Sequence, residues 1–411
     1  MSVFDAVEDL TVLSPYYSMP TYEQLALDNE EELDKIENLK SENKHILTNE
    51  YGSVFLINST IKAFLDAFRS PKSLSEVIDN FAKMAGCKPI EIEPTMQSFY
   101  KSMTKHGILV DKRDADIITM MSQEAPLDNT YFKVGDEINQ YKIESELTRK
   151  KPSELYLVRS SEHKESMVLK ILIFPESLPQ KVKNRALRKF EQEFTIMEEI
   201  SSHPNVCKLI DLNLTYDHPY AVIEYIKGES LRRWVKQPNL TITRKINIIT
   251  QMLSSIAHVQ NEGIIHGDIH LGNFMIDNDD HLKLIDFGFS NRTNRLDGEI
   301  RRNGGVSECI PPERVDPDAF GFLSKNPDCR SEVFQLGVMI FYILYHHYPF
   351  SGFTWNEMVD EILNKELAYL KLSEDGFQIP DYVLDTLQIS MQKDPNLRFR
   401  DAHEMLTHFV K

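Results

Sequence analysis

Two short polar loops constrain this chain more than anything else in it. The first reads His266-Gly267-Asp268-Ile269-His270-Leu271-Gly272-Asn273, behind the apolar Ile264-Ile265; the second reads Asp286-Phe287-Gly288, behind Leu282 to Ile285. Polar residues placed directly after apolar strand-like runs belong to loops that a buried scaffold presents to a cleft. Asp268 offers a carboxylate that can take a hydroxyl proton, while Asn273 and Asp286 offer the hard oxygens that a divalent cation needs beside phosphate. The order of the two loops therefore demands a fold that brings both to one place.

Upstream segments supply what such a cleft would need. Met167-Val168-Leu169-Lys170-Ile171-Leu172 is an apolar strand holding one cation, costly to bury without a partner. The helix that follows offers Glu193, which shares a face with Phe190 at i, i+3 and runs towards His203-Pro204-Asn205-Val206; Glu191 is the runner-up. Tyr141 to Glu144 with Leu147, and Leu155 to Val158, read as two strands joined by a turn. Ala221 to Gly228 reads as a strand passing into a connection.

Together these segments resemble the protein-kinase-like superfamily over residues 140 to about 409. The resemblance implies an α+β, bilobal protein-kinase-like fold, with an N-lobe over 140–226 and a C-lobe over 227–411. It implies ATP and Mg2+ as cofactors, Asp268 as base or orienter, Lys170 on the phosphates in a pair with Glu193, and Asn273 and Asp286 on the metal. Ile223 would be the gatekeeper beside adenine, with Glu224 and Ile226 supplying hinge contacts. The family's three loop glycines fall on Thr148, Lys150 and Ser153, so Lys150 or Lys151 would meet a phosphate as a point charge and Ser153 as a donor. The usual arginine before the catalytic aspartate is Gly267, which predicts activity without activation-segment phosphorylation, and His270 stands where serine/threonine kinases carry lysine. This loop is similar to that of aminoglycoside phosphotransferases; His270 would either stabilise the transferring phosphoryl group when protonated or position Asp268. Gly305 and Pro311-Pro312-Glu313 resemble the end of an activation segment, with Glu313 expected to pair with Arg398 and Glu332 to brace the catalytic loop.

The residues before 140 have their own organisation. Residues 1–44 read as an acidic arm, and 45–112 as a small domain: a strand over Tyr51 to Asn58, a helix capped by Ser59-Thr60, a second capped by Ser73, a third opened by Pro94 and ended by Gly107, then Ile108-Leu109-Val110. This winged-helix outline resembles the PqqD-like elements of enzymes that modify ribosomally made peptides. The resemblance implies a leader peptide added as a strand beside residues 51–58 and resting against residues 95–105. A DNA-binding winged helix and a structural cap are the competing readings. Residues 113–139 read as a linker.

A net charge of −17 argues against nucleic acid or an anionic membrane as partner. The N-terminus lacks the basic and apolar regions of a secretion signal, and Val338 to Tyr345 is too short to span a bilayer, so a cytoplasmic protein is expected. Cys87, Cys207, Cys309 and Cys329 show no metal-ligand spacing. Lys181, Lys183, Arg185, Arg188 and Lys189 form a basic cluster, read as a solvated face or as a dock for an acidic segment. Three functional classes follow: a kinase for Ser/Thr hydroxyls of a leader-bound peptide in lanthipeptide-like maturation, with a separate lyase as a further partner; a small-molecule phosphotransferase or signalling kinase; and a pseudokinase scaffold.

Overall fold

The computed structural model describes residues 10–15, 17–19, 44–49, 54–105, 108–116, 131–150, 153–163, 165–174, 178–238, 240–293, 307–315, 326–352 and 354–410. The chain divides into two compact units, one of Met1–Ser122 with Pro317–Phe322 and Gly352–Glu357, the other of Gln123–Asp316, Leu323–Ser351 and Met358–Lys411.

In the first unit, β1 (Thr11–Leu13), β2 (Tyr17–Ser18), β3 (Lys44–Asn49) and β4 (Val54–Asn58) precede the helices α1 (Ser59–Ala67), α2 (Leu74–Ala85) and α3 (Pro89–Lys105), and β5 (Leu109–Asp111) follows. Alternation along β4 turns Phe55 and Ile57 inward, and Phe64, Leu65, Val77, Ile78, Met96 and Met103 from the three helices are buried with them. The Phe64 ring lies 5.3 Å from Phe68 and 5.9 Å from Phe99. Ser73 caps α2 as expected, its side chain accepting the Glu76 N–H.

Several expectations for this unit need correction. Residues 1–44 are not merely an arm: β1 pairs antiparallel with β5 (Val12 opposite Val110), β2 pairs with β3, and Thr11 Oγ1 lies 2.7 Å from the Tyr100 hydroxyl. Strands of two or three residues carry too little periodicity to stand out in a sequence. Residues 20–43, with the charged run from Asp28 to Glu37, lie outside the described residues. Asn58, not Ser59-Thr60, caps α1: it has the extended backbone of a cap, and its side-chain oxygen accepts the Ile61 N–H at 2.8 Å. The third helix opens at Pro89, whose fixed φ suits a first turn, and Pro94 lies inside it. Gly107 and residues 51–53 lie outside the described residues. The last strand joins β1 and not the β2-β3-β4 sheet, in which β4 is the last strand among the described residues. On α3, Met96 and Met103 face the core, so the surface left to a peptide there is polar.

The second unit opens with an antiparallel sheet ordered β10-β11-β9-β8-β7-β6. Its strands are β6 (Glu137–Ile138), β7 (Tyr141–Lys150), β8 (Ser153–Arg159), β9 (Met167–Leu172), β10 (Leu209–Asn213) and β11 (Tyr220–Glu224), with α4 (Gln180–Ile200) between β9 and β10. One face is a closed apolar layer of Tyr141, Ile143, Tyr156, Val158, Met167, Leu169, Ile171, Tyr220 and Val222. The lobe therefore begins before residue 140. Ile138 belongs to this layer and Phe132 packs against it, so 131–139 is not linker; residues 117–130 lie outside the described residues.

After β12 (Gly228–Ser230) the chain turns mainly helical: α5 (Leu231–Trp234) and α6 (Ile242–Asn261) lead to β13 (Ile264–Ile265), β14 (Phe274–Asp277), β15 (Leu282–Leu284) and β16 (Asn291–Arg292). Helices α7 (Cys329–Tyr345), α8 (Trp355–Asn364, in this unit from Met358 onward), α9 (Asp381–Ser390) and α10 (Ala402–Phe409) complete it. Helix α7 is buried almost throughout, which explains its apolar run from Val338 to Tyr345. Among the described residues no helix is long and apolar enough to cross a membrane.

Candidate active site

The period of two in β9 sends Met167, Leu169 and Ile171 into the apolar layer and leaves Val168 and Lys170 on the opposite face. Helix α4 packs its Phe190, Phe194 and Met197 inward, which carries Glu193 to the same face. The Lys170 Nζ lies 2.6 Å from Glu193 Oε1 and 5.4 Å from the centroid of the Phe194 ring. Glu191 is exposed, so the structure brings Glu193 and not the runner-up to Lys170. Burial disfavours the lysine charge, but Glu193 and Asp286 outweigh it and hold the ammonium above its usual range.

The first polar loop follows β13. Gly267 has φ +78°, and a Cβ there would lie 2.7 Å from the Phe289 carbonyl oxygen, so the position excludes a side chain by both conformation and contact. Its N–H donates to Glu332 Oε1 at 2.9 Å, and Gln260 Nε2 donates to Glu332 Oε2 at 2.8 Å. The longer carboxylate thus reaches the loop as expected. Glu332 is fully buried, and burial raises its pKa to about 7, against the opposing donors of Gln260 and Gly267.

Asp268 is held by Asn273, whose Nδ2 donates to the Asp268 carbonyl at 2.8 Å and to Oδ2 at 3.1 Å. Asp268 Oδ1 is buried and has no hydrogen-bond partner among the described residues. It is the oxygen left for an incoming hydroxyl. The ring of His270 accepts the Gly272 N–H on Nδ1 at 2.9 Å and turns Nε2 to 3.6 Å from Asp268 Oδ2. Because Nδ1 is an acceptor here, the ring is the Nε2–H tautomer. Of the two roles open to His270 in the sequence, this geometry favours positioning Asp268. Gly272 makes room for the ring: a Cβ there would lie 2.7 Å from His270 Cε1.

The second loop is tied to the first through Ile285 N–H, which donates to the Asn273 carbonyl at 2.8 Å. Asp286 adopts φ +64°, a strained conformation for a residue with a side chain, and its Oδ1 accepts the Gly288 N–H at 3.1 Å. A Cβ on Gly288 would lie 3.2 Å from Asp286 Oδ1 and 3.6 Å from Glu193 Oε2, which shows how closely the two carboxylates approach. The fit to a divalent cation is good. Asn273 commits its amide nitrogen to Asp268 and so keeps Oδ1 for a ligand, and Asp286 keeps Oδ2: hard oxygen donors of the kind such ions take.

The β7–β8 pairing runs to Lys150 opposite Ser153, with register shifts between Ile143 and Ser145 and between Glu146 and Thr148, so a bulged antiparallel pair stands where the glycines were missing. Thr148 opposes Leu155, Ser153 is half-buried, and the Lys150 side chain and residues 151–152 lie outside the described residues. Register places Leu155 beside Lys170, and Leu157 and Ile223 beside Val168, forming an apolar surface on the lysine's face. Sequence reading named only Ile223 of this set, although the same alternation would have given the others. Glu224 accepts the Lys208 N–H at 2.9 Å and pairs with Lys283 at 2.9 Å; its side chain is occupied, and Ile226 is half-buried.

Below the loops, Arg398 grips Glu313 at 3.0 and 2.8 Å, and Ser331 Oγ donates to the same carboxylate at 2.9 Å. This is the expected structural pair; Gly305 lies outside the described residues.

A model of the protein kinase domain matches residues 141–410 of this chain. Sperm motility kinase Z of Mus musculus is 30 % identical over 187 residues, which is 44 % of this chain and 36 % of that protein. CBL-interacting serine/threonine-protein kinase 2 of Arabidopsis thaliana is 26 % identical over 252 residues, 59 % of this chain and 50 % of that protein. Serine/threonine-protein kinase PrkC of Bacillus subtilis (strain 168) is 27 % identical over 231 residues, 54 % of this chain and 33 % of that protein. The chain thus spans half or less of the length of these relatives.

Proposed function

The chain belongs to the protein kinase domain family, and from that premise we propose that it is an ATP- and Mg2+-dependent kinase acting on Ser or Thr hydroxyls of a peptide captured by its N-terminal unit. One observation carries the catalytic part. Lys170, Glu193 and Asp286 converge beside an Asp268 that keeps one oxygen free. A chain that had lost turnover would have little reason to hold all of these groups in register.

Asp268 Oδ1 accepts the proton as the acceptor oxygen bonds to the γ-phosphorus and the bond to the bridging β–γ oxygen breaks, leaving ADP. Lys170, kept charged by two carboxylates, meets the α- and β-phosphates. Asn273 and Asp286 hold the Mg2+, which when bound neutralises charge on the β- and γ-phosphates. His270 orients Asp268. The apolar surface of Leu155, Val168 and Ile223 covers adenine, with hydrogen bonds from the backbone of Glu224 and Ile226. With Gly267 in a loop like that of aminoglycoside phosphotransferases, position 267 itself offers no cation to a phosphate on the activation segment, so the kinase works without that modification.

The Ser/Thr acceptor is supported by the two serine/threonine kinases among the relatives. Peptide capture is supported by β4, which among the described residues stands at the end of the β2-β3-β4 sheet, the place where PqqD-like elements add a peptide strand. Such a pairing would raise the effective concentration of a distant hydroxyl at Asp268, and phosphoserine or phosphothreonine would then suit elimination by a separate lyase in lanthipeptide-like maturation. The test is mass spectrometry of short peptides encoded beside the gene, after incubation with the full chain, ATP and Mg2+, with Asp268→Asn as control. Phosphate additions that an excess of the peptide's own N-terminal segment suppresses support the reading. Phosphorylation insensitive to that segment removes leader capture, and ATP binding without any peptide product removes the peptide acceptor.

A further inference from the structure

Gln260 is a neutral residue in the last turn of α6 and is nine per cent exposed. Its side chain is fixed at both ends. The Oε1 accepts the Ala402 N–H at 2.7 Å, at the start of α10, and the Nε2 donates to Glu332 Oε2 at 2.8 Å. An amide that meets a donor on one side and a carboxylate on the other has only one satisfactory orientation. Ala402 therefore dictates which face Glu332 sees. Glu332 in turn accepts the Gly267 N–H on Oε1 at 2.9 Å, one residue before Asp268.

We infer that Gln260 is a positioning residue for phosphoryl transfer, which orients Glu332 against the backbone of the loop that carries Asp268. The catalytic half of this inference rests on the kinase reading; the structural half does not. Both oxygens of Glu332 accept N–H donors, an arrangement that the ionised carboxylate satisfies and a protonated one does not. The titratable groups facing it are Asp328 and Cys329 at the start of its own helix and Arg314 from the Pro312–Arg314 turn. Burial raises the carboxylate to about 7, and the Gln260 donor opposes that shift and favours the charged form. A side chain that touches no substrate thus sets the protonation state on which the loop's anchorage depends.

The test uses the full-length protein with Gln260→Met, which keeps the volume and removes both polar ends, and Gln260→His, which restores a donor. Amide hydrogen exchange is followed across the peptide from Ile264 to Leu271, together with kcat and KM against pH. In the methionine variant, exchange at Gly267 should rise about tenfold or more, and kcat should fall about 10- to 100-fold at neutral pH with KM for ATP within about twofold. The acid limb of the kcat profile should move to higher pH, and histidine should recover much of the loss. Unchanged exchange, or a kcat profile that does not move in the methionine variant, overturns the inference. So does an equal loss of kcat and ATP affinity in both variants. Should Gln260→Met not fold, Gln260→His decides alone: protection at Gly267 near the wild-type level supports the relay, and its loss overturns it. If the wild type transfers no phosphate to any peptide, the proposed function falls, while exchange at Gly267 still decides whether Gln260 holds the loop.

Discussion

Replacing Gly272 by alanine should act on catalysis through a different residue. The new Cβ would lie 2.7 Å from Cε1 and 2.9 Å from Nδ1 of His270. Ordinary carbon contact begins near 3.4 to 3.6 Å, so the ring must retreat by about 0.7 Å or rotate away. The Nδ1 contact to the Gly272 N–H, 2.9 Å in the native loop, would stretch to about 3.6 Å and cease to be a hydrogen bond. Among the described residues nothing else opposes the methyl group: these two ring atoms are the ones that lie within 4 Å of it, and the residue has an ordinary φ. The cost should therefore appear in Asp268 orientation and not in folding. One lost neutral hydrogen bond is about 1 kcal/mol, and the Nε2–H, 3.6 Å from Asp268 Oδ2 and so beyond hydrogen-bond reach, adds less, so kcat should fall about 5- to 10-fold. The assay is a double-mutant cycle with His270→Ala, reading kcat and KM for ATP. If the methyl group works by displacing the imidazole, the double variant is no slower than His270→Ala alone, and the coupling equals the whole effect of Gly272→Ala. Additive losses would refute the argument, as would a Gly272→Ala enzyme with unchanged kcat.

Asp268→Asn should lower kcat about 10²- to 10⁴-fold while ATP still binds, because the general base is lost and the fold is not; unchanged turnover removes Asp268 from the mechanism. Lys170→Met leaves Glu193 and Asp286 facing each other without the cation that now separates them, so ATP affinity by calorimetry should fall at least about tenfold, and an unaltered affinity would place the phosphates elsewhere. Glu313→Gln deprives the fully buried Arg398 of its charge partner, at a cost of about 3 to 5 kcal/mol; thermal unfolding should then begin roughly 6 to 15 °C lower, and a Tm within about 1 °C of the wild type would show that the pair contributes little.

The candidate site was legible where its charges need partners. A lysine inside Met167 to Leu172 has to find an anion, and the one-face spacing of Phe190 and Glu193 pointed to the carboxylate that lies 2.6 Å from it. The same logic connected Glu313 with Arg398 and Glu332 with the loop. Cheap contacts stayed hidden. The β1–β5 pairing rests on three residues a side that no periodicity can flag, and the cap at Asn58 was obscured by two equally good capping residues beside it. Gln260 gave no signal at all, since a neutral residue near the end of a helix is unremarkable until Ala402 and Glu332 appear on either side of it. The two strands read around the missing glycines were legible from their apolar alternation, and their ladder runs as far as Lys150 opposite Ser153 because backbone groups seek partners whatever the side chains.

The close approach of Gly267 to the Phe289 carbonyl also bears on what this enzyme can become. Relatives of the kind that carry arginine before the catalytic aspartate can be placed under the control of a phosphate. Here a single codon change to arginine would drive a Cβ to 2.7 Å from a backbone oxygen and require a side chain at φ +78°. The second loop would have to move first, and with it the Ser290 hydroxyl that donates to the His266 carbonyl at 3.1 Å. Phosphate control of this loop therefore lies several coordinated substitutions away, with an impaired enzyme at the intermediate steps.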